Sequence, residues 1–151
     1  METKIELKPF SSLTTLELYE ILGLRNEVFI VEQNCVYPDI DGKDLKSHHL
    51  LVMHDEKLAA YCRILPAGIS FPEVSIGRVI SSPFFRRKGF GQILIQAAIV
   101  HTNTLYPNEN IRIGAQLYLQ KFYESFGFNQ VSEVYMEDGI AHIEMLLKVS
   151  S

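Results

Sequence analysis

Six residues, Arg86-Arg87-Lys88-Gly89-Phe90-Gly91, carry the most chemistry for their length. Gly89 and Gly91 can take backbone angles that other residues avoid, and without β-carbons they let a ligand approach the main chain closely. The run follows the apolar stretch Ile76 to Ser81 and opens an uncharged, Ala- and Ile-rich segment from Gln92 to Thr102. A helix starting there adds unpaired amides and the positive end of its dipole. Strand, glycine loop and helix together can therefore cradle a pyrophosphate. Three adjacent cations supply charge of the right sign.

Other phosphate motifs do not fit this spacing. A P-loop needs a glycine four residues ahead of Gly-Lys-Ser/Thr, and a dinucleotide fingerprint needs a third glycine where Leu94 stands and an acidic residue about 20 positions on, where only Glu109 lies nearby. A second stretch, Gln116 to Phe128, ends in Tyr123-x-x-x-Gly127-Phe128. The phenol of Tyr123 is a neutral donor at pH 7, as a general acid must be. The spacing of Leu119, Phe122, Tyr123 and Phe126 equally suits the buried face of a helix.

The elements that must position these residues follow from periodicity. Thr3 to Phe10 alternates as a half-buried strand, and Thr14 or Thr15 caps a helix that runs to about Glu32, with Gly23 as a bend. Asn34 to Ser47 reads as a long loop, of a length that is usually functional or disordered. Strands follow at His48 to His54, Leu58 to Leu65 and Glu73 to Ser81, and then a helix at Gly91 to Thr104. A strand at Ile111 to Ala115 completes a right-handed β-α-β crossover. The helix Gln116 to Phe126 stops at Gly127, and strands Gln130 to Met136 and Ala141 to Val149 flank the hairpin turn Glu137-Asp138-Gly139.

Length and composition bound the rest. One domain spanning 1–151, 47% hydrophobic, is enough for a full core. No segment reaches the roughly 18 apolar residues that cross a bilayer, and Met1-Glu2-Thr3-Lys4 lacks a signal pattern, so the expectation is a cytoplasmic chain without a membrane partner. A net charge of −4 argues against nucleic acid. Cys35 and Cys62 have no disulfide or zinc spacing and read as reduced thiols. No metal is expected: Asp39-x-Asp41-Gly42 puts Tyr37 and His48 at the ends of any calcium loop, and His48 and His49 point to opposite strand faces. One of the two histidines should be buried and hydrogen-bonded, and His49 is a candidate to line an acceptor site. Asp39, Asp41 and Asp44, with Glu27 and Glu32 before them, suggest a cationic acceptor.

Arg86-x-x-Gly89-x-Gly91, preceded by Gly77-Arg78-Val79-Ile80-Ser81-Ser82-Pro83, resembles the acetyl-CoA signature of the GNAT N-acetyltransferases. Tyr123-x-x-x-Gly127-Phe128 resembles the last motif of that family, in the right order and about 30 residues on. Leu24-Arg25-Asn26-Glu27-Val28-Phe29-Ile30-Val31-Glu32-Gln33-Asn34, Tyr37-Pro38-Asp39, Asp41-Gly42 and Glu137-Asp138-Gly139-Ile140 look like its ElaA-type branch, over nearly the whole chain.

The resemblance implies an α+β fold. Its mixed, mostly antiparallel sheet has about seven strands with helices on both faces, splayed between the Glu73 to Ser81 and Ile111 to Ala115 strands. It implies acetyl-CoA as donor, held by Val79, Ile80, Ser81, Arg86, Arg87, Lys88, Gly89, Phe90, Gly91, Gln92, Gln116 and Phe122. Gln116 departs from the asparagine common at its place. Tyr123 would protonate the leaving thiolate, and Glu73, Glu27 and Glu32 are candidates for the base that a protonated amine requires. The acceptor would be a primary amine on a small molecule or peptide. A silent acyl-CoA-binding domain and a protein lysine or N-terminal acetyltransferase are the alternatives, and a homodimer is left open.

Overall fold

The computed structural model describes residues 2–149; Met1, Ser150 and Ser151 lie outside it. The chain begins with β1 (Thr3–Pro9) and α1 (Thr15–Arg25). Thr14 caps α1 through a reciprocal pair: its hydroxyl accepts from the Glu17 amide at 3.0 Å, and the Glu17 carboxylate accepts from the Thr14 amide at 2.9 Å. The expected single helix to Glu32 changes pitch. It widens into a π-helical segment, Asn26–Glu32, directly after Arg25 and not at Gly23. Such wide turns are common beside functional sites.

The remaining elements are β2 (His48–His54), β3 (Lys57–Leu65), β4 (Val74–Ser81), α2 (Phe90–Leu105), β5 (Ile111–Gln116), α3 (Gln120–Glu124), β6 (Asn129–Gln130), β7 (Tyr135–Glu137) and β8 (Ile140–Leu147). The sheet order is β1-β2-β3-β4-β5-β8-β6, with β7 also on β8. Every pairing is antiparallel except β4 with β5. The eight strands exceed the expected seven because the Gln130 to Met136 strand is interrupted. There the Ser132 hydroxyl accepts from the Glu144 amide at 2.8 Å, taking the place of a backbone carbonyl. Asp138 and Gly139, both at positive φ, make the tight β7–β8 turn.

Two features of β4 shape the site. It pairs with β5 only at Val74 with Ile111 and Ser75 with Arg112, and beyond that the strands part. Strand β5 keeps a full ladder with β8, so the unpaired edge left by the splay is that of β4 from Ile76 onward. The second feature is a bulge. Arg63 of β3 faces Gly77 and Tyr61 faces Ile80, so β4 carries one extra residue there, with Arg78 at φ 51°. The insertion flips the strand's faces. Val74 and Ile76 join the core under α2, with Leu94, Ile95 and Ala98, whereas Ile80 joins the opposite cluster under α1, with Ile21, Leu24 and Val28.

Helices thus cover both faces, as expected. On β5 and β8 the α2 side receives Ile111, Ile113, Ala115, Ile143 and Met145. By strand alternation Gly114, Gln116, His142 and Glu144 face the α1 side.

Candidate active site

A cavity of about 810 Å³ runs through the gap between β4 and β5. At one end Gly89 starts α2 at φ 80° with no side-chain cap, and the first intrahelical bond is Ile93 N–H to the Gly89 carbonyl at 3.1 Å. The amides of Phe90, Gly91 and Gln92 are therefore free of intrahelical partners. Along one wall lies the unpaired edge of β4.

The residues that sequence points to for the donor divide into two sets. Val79, Ile80, Ser81, Arg86, Gly91, Gln116 and Phe122 line the cavity, and Arg87, Lys88, Gly89, Phe90 and Gln92 do not. Phe90 turns into the core against Phe85 and His54, and Lys88 sits 5.9 Å over the Phe85 ring. Arg86 is already engaged: its two terminal nitrogens donate to the Glu32 carboxylate at 2.7 and 2.6 Å, and these bonds hold Glu32 below the usual carboxylate range. Gln116 exchanges amide hydrogen bonds of 3.3 and 3.5 Å with Gln33, the residue that caps the end of the π-helical segment.

Tyr123, on α3, lines the cavity from the α2 side and is 5% exposed. Its hydroxyl makes no hydrogen bond among the described residues. Burial pushes its phenol above the ordinary value, so the hydroxyl keeps its proton at neutral pH. Cys62 is fully buried, and the same burial raises its thiol, which removes it as a nucleophile.

The other end of the cavity is built by the loop after the π-helical segment, and here three expectations are corrected. Asp39, Asp41 and Asp44 do not offer free negative charge to a cationic acceptor, because three arginines consume them. Arg25 donates to Asp39 at 2.9 Å and to Asp44 at 2.8 Å. Arg63 donates to Asp41 at 2.9 and 2.7 Å and to Asp44 at 3.0 Å, and Arg78 to Asp39 at 2.8 Å. Arg25 and Arg63 are buried, so the six side chains form an internal ion network that pins the loop to the sheet.

His49, the second correction, does not line the cavity. It is buried, with Nδ1 2.6 Å from the Tyr61 hydroxyl and Nε2 2.9 Å from the Asp44 carbonyl, and burial lowers its affinity for a proton. The third concerns Glu73 and Glu27, neither of which lines the cavity. Glu73 sits at the closed end of the splay and is bound by Arg112 at 2.9 and 3.1 Å, bonds that depress its pKa, and Glu27 is exposed on the π-helical segment.

Residues to which sequence reasoning assigned no role in a site line this end: Gln33, Tyr37, Glu137 and Asp138, named only within motifs, and His142, not named at all. Arg78, read only as part of a motif, places its guanidinium 5.9 Å from the centre of the Tyr37 ring. A signal for His142 was present in the chain. Its neighbour Ile143, with Met145, takes the core-facing parity of β8, which leaves His142 on the face toward the splay.

Known proteins agree with this geometry. Residues 14–149 match the model of the acetyltransferase (GNAT) domain family. The chain is 45% identical to the protein ElaA of Escherichia coli strain K12 over 141 residues, 92% of each chain. The crystal structure of E. coli ElaA superposes with a TM-score of 0.91, covering 97% of this chain and 100% of that one at 42% identity. An acyl-CoA N-acyltransferase from Pseudomonas aeruginosa superposes at 0.92, with 40% identity over 97% and 99% of the two chains. A GNAT acetyltransferase from Elizabethkingia anophelis, solved with acetyl-CoA bound, shares the fold at a TM-score of 0.65 and 15% identity, covering 96% of this chain and 98% of that one. With its splayed α+β sheet, its glycine loop and this degree of identity, the chain belongs to the GNAT acetyltransferases and, within them, groups with ElaA.

Proposed function

We propose that the protein transfers an acetyl group from acetyl-CoA to a primary amine on a small molecule or peptide. The observation that carries this reading is the continuity of the cavity. The uncapped start of α2 lies at one end, the free edge of β4 forms a wall, and Tyr123 is part of the lining. Acetyl-CoA would supply the activated acyl group as a thioester. The amides of Gly91 and Gln92, with Arg86 released from Glu32, fit its pyrophosphate. The backbone of Val79, Ile80 and Ser81 fits its amide-bearing arm as an added strand. An N–H of the β4 bulge would polarise the thioester carbonyl, and Tyr123 would give its proton to the departing sulfur. The two free cysteines suit the reducing cytoplasm, which belongs to the same reading.

Incubating the full chain with acetyl-CoA and a panel of amines, while following free thiol, tests it. Thiol release accelerated by at least one amine, with an acetylated product in the mass spectrum, is the expected result. Tight CoA binding with no amine-dependent release would leave a silent binding domain instead.

A further inference from the structure

Glu73 and Glu27 are off the cavity and Glu32 is bound to Arg86, so none of the three carboxylates that the sequence pointed to as bases is free within it. His142 lies within the cavity wall, on β8 directly opposite Gln116 of β5. Its Nδ1 is 2.7 Å from the Ile140 carbonyl oxygen. A carbonyl only accepts, so Nδ1 carries the hydrogen, and in the neutral ring Nε2 presents its lone pair. The ring is held in place by stacking on Tyr135, with centroids 5.8 Å apart and planes at 26°. A carboxylate oxygen of Glu137 lies 3.5 Å from Nε2, where its charge steadies an imidazolium once formed.

Topology puts this group where a base is needed. Tyr123 reaches the cavity from the α2 side of the sheet, and His142 lies on the α1 side. The amine adds to a face of the thioester carbonyl, and the sulfur departs from the tetrahedral intermediate that results. The base for the amine and the acid for the sulfur are therefore separate groups, and the splayed sheet offers one on each face.

Resting on the acetyl-transfer reading above, we propose that His142 is the catalytic base: its Nε2 takes the acceptor amine's proton, and Glu137 stabilises the charge. An alkylammonium with a pKa near 10 is about one part in a thousand neutral at pH 7, so a base at this point is worth having. The nitrogen arrives as an ammonium and loses one proton to Nε2. Its lone pair then forms the new bond to the thioester carbon. As the C–S bond breaks, the nitrogen loses a second proton and the sulfur takes one from Tyr123. One of the two nitrogen protons restores the Tyr123 phenol through solvent, and the other is released.

The charged and titratable groups facing His142 are Glu137 and Tyr135 from β7 and Glu144 from its own strand, the last paired with Arg112 of β5 at 2.9 Å. The pH profile of kcat/KM should therefore bend on its acid side, beyond the titration of the acceptor amine itself. In His142→Gln that bend disappears and kcat/KM falls by roughly 10²- to 10⁴-fold, while acetyl-CoA binds with wild-type affinity. Glu137→Gln, which removes the carboxylate 3.5 Å from Nε2, lowers kcat/KM by less than His142→Gln does and leaves acetyl-CoA affinity unchanged. A His142→Gln enzyme with wild-type kcat/KM and an unaltered bend overturns the proposal while the acetyl-transfer reading stands. If His142→Gln fails to fold, the wild-type profile decides, and a kcat/KM that shows no bend on its acid side beyond the amine's own titration overturns the proposal. A wild-type protein that no amine activates overturns both.

Discussion

The two ends of the cavity are built in opposite ways. The end proposed for the donor consists mainly of main chain: a glycine loop, the uncapped start of α2 and the free edge of β4, all within residues 76 to 92. The end proposed for the acceptor consists of side chains brought from far apart. Its ion network joins positions 14 to 39 residues distant in sequence, and its glutamine pair spans 83. Backbone amides read a phosphate or a peptide-like arm with little help from side-chain identity. An acceptor is read by side chains, so its specificity depends on how the loop after the π-helical segment is anchored. A shared donor site beside a separately anchored acceptor site lets one fold serve many amines.

The sharpest way to break that contrast is to unpin the acceptor end. Asp44→Ala leaves Arg25 and Arg63 buried with one partner fewer each, and such a removal costs on the order of 3–5 kcal/mol. Urea unfolding should show a loss of that order, and a variant as stable as the wild type would make the network ornamental. The donor end should respond through binding and leave stability nearly intact. A Cβ at position 89 meets no protein atom within 4 Å, so the costs of Gly89→Glu are a non-glycine residue at φ 80° and a negative charge at the phosphate position. CoA affinity measured by calorimetry should fall by at least about 100-fold, the equivalent of about 2.7 kcal/mol.

Tyr123→Phe separates chemistry from binding at the junction of the two ends. CoA affinity stays unchanged, and amine-dependent thiol release slows on the order of 10²-fold. An unchanged rate would take the acid role from Tyr123.

Acid should loosen the acceptor end more than the donor end. Burial alone would raise the Asp41 pKa, but the Arg63 hydrogen bonds, the Lys43 amide and the charges of Arg63 and Arg78 outweigh it, and its folded value lies below the usual range. Asp44 is depressed against burial in the same way by Arg25 and Arg63. Groups depressed on folding contribute stability above their unfolded values, near pH 4, and lose it as pH falls through the folded ones. Stability should accordingly decline below about pH 4, and Asp41→Asn should flatten that decline in acid unfolding curves. The smallest effect belongs to the bridge between the ends. Glu32→Gln breaks a half-exposed ion pair and should change stability by less than about 0.5 kcal/mol, with a modest gain in CoA affinity as Arg86 is freed.

Sequence patterning made the elements legible wherever the determinants were local. The Thr14–Glu17 cap and the turn at Asp138-Gly139 each depend on a few neighbouring residues, and each formed as the pattern implies. The misjudged elements depend on partners elsewhere. The helix to Glu32 changes pitch directly after Arg25, whose buried guanidinium is bound to Asp39 and Asp44. The Gln130 to Met136 strand breaks where Ser132 is captured by Glu144, twelve positions on.

The chain by itself determined most elements and the glycine loop with Tyr123, because glycine placement, capping and hydrophobic period act over a few residues. Its motifs carried the resemblance that implied the family and the splayed sheet. Only the tertiary structure decided which charges are spent and which are free. It tied Asp39, Asp41 and Asp44 to three arginines, carried Glu73 to Arg112 and placed His142 across the sheet from Tyr123. Charge and proton affinity depend on what lies within a few ångströms in space, and that distance is set by packing between strands, which composition and spacing do not contain.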